Sequence, residues 1–434
     1  MKFFALILSI LLLNTSFSKA IYSSSRIIVK LKGAQIPTTK IHSSWKKLFS
    51  TTYVVKTKNV EALKEELDKS PKVIYTEFDF YSHSNQLPKL KLLPKKKLFL
   101  EFNLNAIFND PYLSRQYTLF GARKNGMSVL EAFEQSISHS KTQIIVAVVD
   151  TGVDYKHRDL PIWTNENEIP GNGIDDDQNG YIDDIHGINT LVRDSDGNAT
   201  MNMQDAHGHG THVSGSIGAI QNNNIGIAGV ATNVKIMGIR TVPNSSDELD
   251  VDVIEAFIYA AQNGARIINC SFGKSHNEGG LAVSEAMSYI GKEFGVLIVA
   301  AAGNSSQNID QRKTYPASFT NENLLVVASS TSSGALSYFS NYGIVSVDVV
   351  APGSGIYSLA PKNRYASMSG TSMASPNTAG AAAEVLSQFP ELTPVQLKNV
   401  LMRSVTKKRL FSNRVGSGGR VNLLEALKIA KSLF

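Results

Sequence analysis

Six short apolar runs recur from about residue 110 onward: "TQIIVAVVD", "VKIMGIRTV", "RIINCSF", "VLIVAAAGN", "NLLVVAS" and "VDVVAPG". Their apolar residues are continuous and do not alternate with polar ones. Strands of that kind must be buried on both faces. Helix-like segments such as "DVIEAFIYAAQNG" and "LAVSEAMSYIGKEFG" fall between several of them. Helices alternating with doubly buried strands specify an α/β fold, layered around a mostly parallel central sheet. In such folds chemistry gathers at the carboxyl ends of the strands, so polar residues there are the ones to inspect.

The chain has 434 residues, enough for more than one domain. Residues 26–80 differ from the rest. "RIIVKLKG", "TTYVVKT" and "KVIYTEFDF" read as strands, and "NVEALKEELDK" sets Val60, Leu63 and Leu67 on one helical face. This predicts a small α+β unit. Next comes "SNQLPKLKLLPKKKLFLEFN", a lysine-rich stretch with Pro88 and Pro94 that reads as an exposed linker. Charge divides the chain in the same place. Residues 21–110 carry 16 basic and 8 acidic side chains, and residues 111–434 carry 25 and 29. The overall charge of +6 thus belongs to the front and gives no argument for nucleic-acid binding by the remainder.

"MKFFALILSILLLNTSFSKA" opens with Lys2, continues as an apolar run and ends in small residues around Lys19. It reads as a secretory signal peptide over residues 1–20, cleaved after Ala20. The expected location is therefore extracellular or periplasmic, with no membrane span after signal removal. Cys270 is the only cysteine, so no intramolecular disulfide is available. It reads as a small buried hydrophobe, and stability must come from packing and bound ions.

Three chemically capable residues stand at predicted element ends. Asp150 closes "IIVAVVD", His209 sits between glycines in "DAHGHGTHVSG", and Ser372 opens a helix-like run in "SGTSMASPNTAG". A serine nucleophile needs a base, and the base needs an orienting carboxylate. Small neighbours admit a substrate backbone, and a helix N-terminus favours developing negative charge. Pro376 is expected to be tolerated as a first-turn residue, where amides lack intrahelical partners. The three clustered histidines, His207, His209 and His212, raise a zinc reading. Their spacings of two and three, with no glutamate between, do not fit HExxH.

At this point the chain resembles the subtilisin-like serine proteases, the subtilases. "VVDTGVDYKHRDL" is similar to that family's Asp box, "HGTHVSGSIGA" to its His box, "SGTSMASPNTAG" to its Ser box and "VAAAGN" to its oxyanion Asn box. The order Asp, His, Ser is the subtilisin order. The resemblance implies a three-layer subtilisin-like fold over residues 109–434. It implies that Asp150 orients His209, that His209 is the base, that Ser372 attacks, and that Asn304 donates to the oxyanion. It implies that Ser271, Phe272, Gly273, Ala301, Ala302 and Gly303 line the substrate cleft. His212 is then a structural histidine behind the site and His207 a loop residue. Residues 21–108 resemble the family's pro-domain and its linker, an intramolecular inhibitor and chaperone. The implied product is a self-processing zymogen, monomeric, acting on protein or peptide substrates.

"GNGIDDDQNGYIDDIHG" adds an acidic loop. Asp175, Asp177, Asn179, Tyr181 and Asp183 stand at relative positions 1, 3, 5, 7 and 9, with Gly180 at 6. That is the oxygen-ligand spacing of an EF-hand-like loop, Tyr181 serving through its carbonyl. Position 12 is His186 where an EF-hand has glutamate. Structural calcium is the expected cofactor. Two other functions compete with the endopeptidase: a binding protein on the same fold, which four intact catalytic positions disfavour, and a processing protease with few targets.

Overall fold

The computed structural model describes residues 21–81, 108–135, 142–195, 197–245, 248–275 and 280–434. The expected signal peptide and most of the expected linker lie outside them.

The front unit runs β1 (Tyr22–Leu31), β2 (Ser43–Phe49), β3 (Thr52–Thr57), α1 (Val60–Asp68) and β4 (Val73–Phe80). Its strands form an antiparallel sheet in the order β2-β3-β1-β4. Asn59 caps α1 by accepting from the Ala62 amide. Ile27, Val29, Leu31, Tyr53 and Val55 pack with Val60, Leu63 and Leu67 in a core of their own. Alternation along the strands sends Ile28 and Val54 to the other face, where they join the core of the main body.

The main body runs α2 (Val129–Glu134), β5 (Ile144–Asp150), β6 (Gly187–Arg193), β7 (Ala199–Thr200), α3 (His209–Gly218), β8 (Val234–Arg240), α4 (Asp250–Gln262), β9 (Ala265–Cys270), α5 (Leu281–Glu293), β10 (Leu297–Ala301), β11 (Leu324–Ser330) and β12 (Val349–Pro352). Then come the hairpin β13 (Ile356–Ala360) and β14 (Arg364–Met368), α6 (Thr371–Gln388), α7 (Pro394–Arg403), β15 (Thr406–Lys407), β16 (Gly419–Arg420) and α8 (Leu423–Lys431). The sheet order is β15-β16-β12-β11-β10-β9-β5-β8-β6-β7, with antiparallel pairs only at its two edges. The six apolar runs became β5, β8, β9, β10, β11 and β12, all mutually parallel where they pair.

Alternate residues of these strands feed two cores. Val146, Val148, Ile267 and Val299 face α3 and α6, while Ala147, Val149, Ile268 and Ile298 face α4 and α5. That is the expected three-layer arrangement, and it explains why the runs had to be apolar throughout. Among the described residues no helix is long and apolar enough to cross a membrane.

The front sheet lies on α4 and α5. Asp79 accepts from the Val251 amide at 3.0 Å and Glu77 from the Ala282 amide at 3.2 Å, each in the first turn of one helix. Arg26 bridges Asp79 at 2.8 Å and Asp252 at 3.4 Å, and Lys46 meets Glu255 at 3.3 Å. Phe49 packs on Tyr289 of α5, with ring centroids 5.5 Å apart.

Candidate active site

Asp150 is the last residue of β5, and His209 is the first of α3. His209 Nδ1 lies 2.7 Å from Asp150 Oδ1, and both residues are fully buried. The same oxygen accepts from the Thr151 amide at 2.7 Å. The imidazole is thereby oriented with Nε2 away from the carboxylate, and Nε2 is buried without a partner among the described residues. Gly210 permits the approach. A Cβ there would stand 2.1 Å from the Gly152 carbonyl oxygen and 3.0 Å from the Asp150 side chain. Gly152 itself has φ +103°, a conformation that side chains rarely adopt.

Asp205 orders the turn into α3. Its Oδ1 accepts from the His207 and Gly208 amides and the Thr151 hydroxyl, and its Oδ2 from the Thr211 amide and hydroxyl. Thr151 Oγ1 in turn accepts from the Gly210 amide at 3.1 Å. Sequence reasoning passed over Asp205. An acid four residues ahead of a glycine-flanked histidine was the available signal.

Ser372 is the second residue of α6. Val149 pairs with Cys270, so Asp150 and Ser271 leave neighbouring strand ends. Ser372 then meets Ser271 reciprocally: Ser372 Oγ donates to the Ser271 carbonyl at 3.0 Å, and Ser271 Oγ to the Ser372 carbonyl at 3.0 Å. Ser372 Oγ thus makes no hydrogen bond to His209 Nε2 here, and its proton is held by the Ser271 carbonyl. Catalytic hydrogen bonds commonly tighten only when substrate is bound. Pro376 needs a different account from the expected one. It is the sixth residue of α6, beyond the first turn. It lacks the amide that would donate to the Ser372 carbonyl four residues back, and Ser271 Oγ donates there instead.

Asn304 follows β10. Its Oδ1 accepts from both the amide and the hydroxyl of Thr371, each at 2.9 Å. The Thr371 hydroxyl also accepts from the Gly303 amide at 3.0 Å. With its oxygen so fixed, the Nδ2 end of Asn304 is the one left to meet a ligand oxygen. Thr371 was another residue the sequence reading did not single out.

Segments 271–273 and 301–303 continue the adjacent parallel strands β9 and β10, which brings them side by side. Ala301 and Ala302 are buried, and a Cβ on Gly273 would come 2.9 Å from the Tyr315 carbonyl oxygen. Phe272 lines a small cavity with Val253, Val283, Tyr315 and Phe319, and Glu248, Asp250 and Lys274 also border it. His212 is fully buried, with Nε2 3.0 Å from the Ile356 carbonyl. Burial, together with His209, pushes its pKa down to about 3, so it stays neutral. His207 is half-buried, its ring 6.3 Å from that of His209. Burial raises the Cys270 thiol well above its ordinary value, which leaves it inert.

In the acidic loop the structure brings Asp175 and Asp177 together with Glu168. One carboxylate oxygen from each lies within 4.8 Å of the others. Glu168 comes from the segment ahead of the loop and holds it by accepting from the Asp176, Asp177 and Asp183 amides. Asn179 donates its amide to Asp175 and Asp177, and Tyr181 donates its amide to Asn179 Oδ1. Asp183 turns both oxygens to the Gly171 and Gly173 amides. His186 faces away and contacts the Trp163 carbonyl at 2.9 Å.

The sequence profile of the subtilase family matches residues 141–418. The chain belongs to the subtilase family. That span holds Asp150, His209, Asn304, Ser372 and the acidic loop. This subtilase is 34% identical over 347 residues to subtilisin-like protease 1 of Plasmodium berghei (strain Anka), covering 75% of its own length and 56% of the relative's. It thus spans little more than half the length of that curated relative. It is 32% identical over 387 residues to a thermophilic serine proteinase of Bacillus sp. (strain AK1), covering 87% of itself and 81% of that protein. Among solved structures it resembles a protease from Pseudoalteromonas arctica PAMC 21717, with TM-score 0.60 and 26% identity, over 75% of this chain and 99% of that one.

Proposed function

We propose that this subtilase is a secreted serine endopeptidase, extracellular or periplasmic, made as a self-processing zymogen. The observation that carries the reading is the 2.7 Å contact of buried His209 Nδ1 with Asp150 Oδ1, at strand and helix ends beside the Ser372–Asn304 corner. His209 Nε2 takes the proton as Ser372 Oγ attacks the scissile carbonyl carbon. The oxyanion accepts from Asn304 Nδ2 and the Ser372 amide. His209 then gives the proton to the leaving amine, whose C–N bond breaks to form the acyl-enzyme. Water deacylates it by the same proton path in reverse order. One oxyanion donor contributes roughly 10²–10³ in rate, a value measured in a subtilisin.

The front unit is read as pro-domain and inhibitor. Its docking on α4 and α5 supports this, as does the antiparallel bridge of Tyr81 with Leu249, the residue just ahead of α4. Residues near Asn109 would begin the mature enzyme, a monomer. Glu168, Asp175 and Asp177 suit a hard cation that takes oxygen ligands, and structural calcium is the proposed occupant. The test compares the intact mass of exported wild type with Ser372→Ala in calcium-containing medium. Loss of the front segment from wild type alone, with casein hydrolysis, is expected. Retention by both chains, with no hydrolysis, would favour a binding protein on this fold.

A further inference from the structure

Where the front unit meets the main body, three main-body oxygens close on one ammonium. Lys46 Nζ of β2 lies 2.9 Å from Asn198 Oδ1, 3.3 Å from Glu255 Oε1 and 3.4 Å from the Gly197 carbonyl oxygen. Glu255 comes from α4, and Gly197 and Asn198 from the turn between β6 and β7. Main-body contacts hold these oxygens in place. Asp194 accepts from the Asn198 amide at 2.8 Å, and its own amide donates to the Asn198 carbonyl at 3.0 Å. Glu255 accepts from the Tyr181 hydroxyl at 3.1 Å on one oxygen and from Arg193 on the other. A cavity of about 220 Å³ is bordered by Lys46, Tyr181, Asn198 and Glu255, so solvent ions have a way in.

The charges here balance only while the two parts are together. Asp79, Asp252 and Glu255 face Arg26, Lys46 and Arg193. Loss of the front unit removes Asp79, Arg26 and Lys46. Among the described residues, Asp252 and Glu255 then keep Arg193 as their ion-pair partner, one positive charge short. Burial opposes ionisation of Glu255, yet Arg193 and Lys46 hold its carboxyl below the ordinary range. A carboxylate built to be paired costs free energy when its partner leaves, and a cation of the right size relieves that cost. The oxygens select the ion. Calcium takes about six to eight oxygens at about 2.3–2.6 Å, usually with several carboxylates. One carboxylate with two neutral oxygens, spaced for an ammonium, suits a larger ion of single charge. Carbonyl oxygens replace the hydration shell of potassium in this way.

We propose that Gly197, Asn198 and Glu255 form a site for a monovalent metal cation of potassium size, filled by the Lys46 ammonium in the full chain and opened when the front unit leaves. The site belongs to the main body and does not depend on the protease reading. Its opening by self-processing rests on that reading. It is distinct from the acidic loop, where Glu168, Asp175 and Asp177 bring three carboxylates together. A second front-unit ammonium stands near the turn. A Cβ on Gly197 would lie 2.8 Å from Lys56 Nζ, so a test has to remove both lysines.

The test uses the full chain in a Ser372→Ala background, with chelator present to silence the acidic loop. Lys46→Ala with Lys56→Ala vacates the site, and neither side chain belongs to a hydrophobic core. Melting is compared in equal concentrations of potassium, ammonium and tetramethylammonium chloride. Expected is a Tm about 2 °C higher in potassium and in ammonium than in tetramethylammonium, which is too large to enter. Because the readout is a difference within one chain, a loss of basal stability cancels. The parent, with Lys46 in place, should show no difference. Lys46→Met with Lys56→Ala keeps the stem in the site and should show none either. Glu255→Gln added to the vacated chain should abolish the response. Equal melting in all three salts overturns the site, and a response to ammonium without potassium overturns it as a metal site. A response of the same size in the parent overturns it too, by placing the effect elsewhere. Processed wild type, its front unit gone, should respond like the vacated chain, and no response there overturns the opening on release. If wild type never loses the front unit, the zymogen reading fails and the result on the vacated chain stands.

Discussion

Ser271 Oγ donates to the Ser372 carbonyl, the acceptor that Pro376 leaves without an intrahelical partner. A helix breaker and a cleft residue are therefore coupled through the backbone of the nucleophile. Ser271→Ala should leave that buried carbonyl unsatisfied, at about 1–3 kcal/mol. Pro376→Ala restores an amide four residues on, so the double variant should recover much of the loss. Urea unfolding of all four chains, in a Ser372→Ala background to prevent self-digestion, measures the coupling. Strict additivity would contradict it.

Thr371 aims Asn304. Asn304→Leu should lower kcat by roughly 10²–10³ with little change in KM. Thr371→Val removes the hydroxyl and leaves the amide, so a smaller fall of about tenfold is expected, again in kcat. Thr371→Ser should restore it. Steady-state kinetics on one chromogenic peptide separates the three.

Asp205 is the hub of the turn that carries His209. Asp205→Ala strands several buried donors and should cost about 3 kcal/mol or more, measured by chemical denaturation. Asp205→Asn keeps the size but offers one acceptor oxygen, and should lie between.

His212 gives acid sensitivity. Its pKa in the fold, about 3, lies below the ordinary 6.5. The unfolded chain therefore binds the extra proton first. This contribution is fully present above about pH 6.5 and is lost as pH falls toward 3. It amounts to several kcal/mol. His212→Gln should flatten the stability profile in that window. A profile of unchanged slope would assign the acid loss elsewhere.

Docking of the front unit carries the opposite sign. Burial, with Asp250 beside Glu77 and Asp252 beside Asp79, raises both carboxyls to about 7 despite Lys274 and Arg26 nearby. The docked form holds more protons, so the contribution is complete below about pH 4 and lost as pH rises through 7. Hydrogen exchange at residues 73–80, corrected for intrinsic rates, should accelerate between pH 5 and pH 8. Glu77→Gln should reduce the pH dependence.

Calcium removal should lower the Tm of Ser372→Ala by about 5 °C, because an ion at 100 times its Kd adds about 2.7 kcal/mol. Glu168→Gln should abolish most of the difference between calcium and chelator. An equal response in that variant would remove Glu168 from the site.

The parts legible in the sequence were those whose signals are local. The β5, β9 and β10 runs show doubly buried strands directly, and Asp150, His209, Asn304 and Ser372 stand beside glycines or helix starts. Asp205, Thr371 and Glu168 were missed because their importance lies in partners. Thr371 matters through Asn304, 67 residues away. Glu168 precedes the loop that it completes, while an EF-hand template looks for its glutamate downstream. Pro376 was misplaced by one turn, since helix boundaries are the least certain part of a sequence reading.

The front sheet has two faces and owns only one of them. Its private core is small, and Ile28 and Val54 are covered only by the main body. About 60 residues with half a sheet uncovered make a marginal domain. Once severed, such a segment would not persist as a competitor waiting to rebind. On the zymogen reading proposed above, the cut would therefore run in one direction, because the released unit would lose the surface that completes its fold.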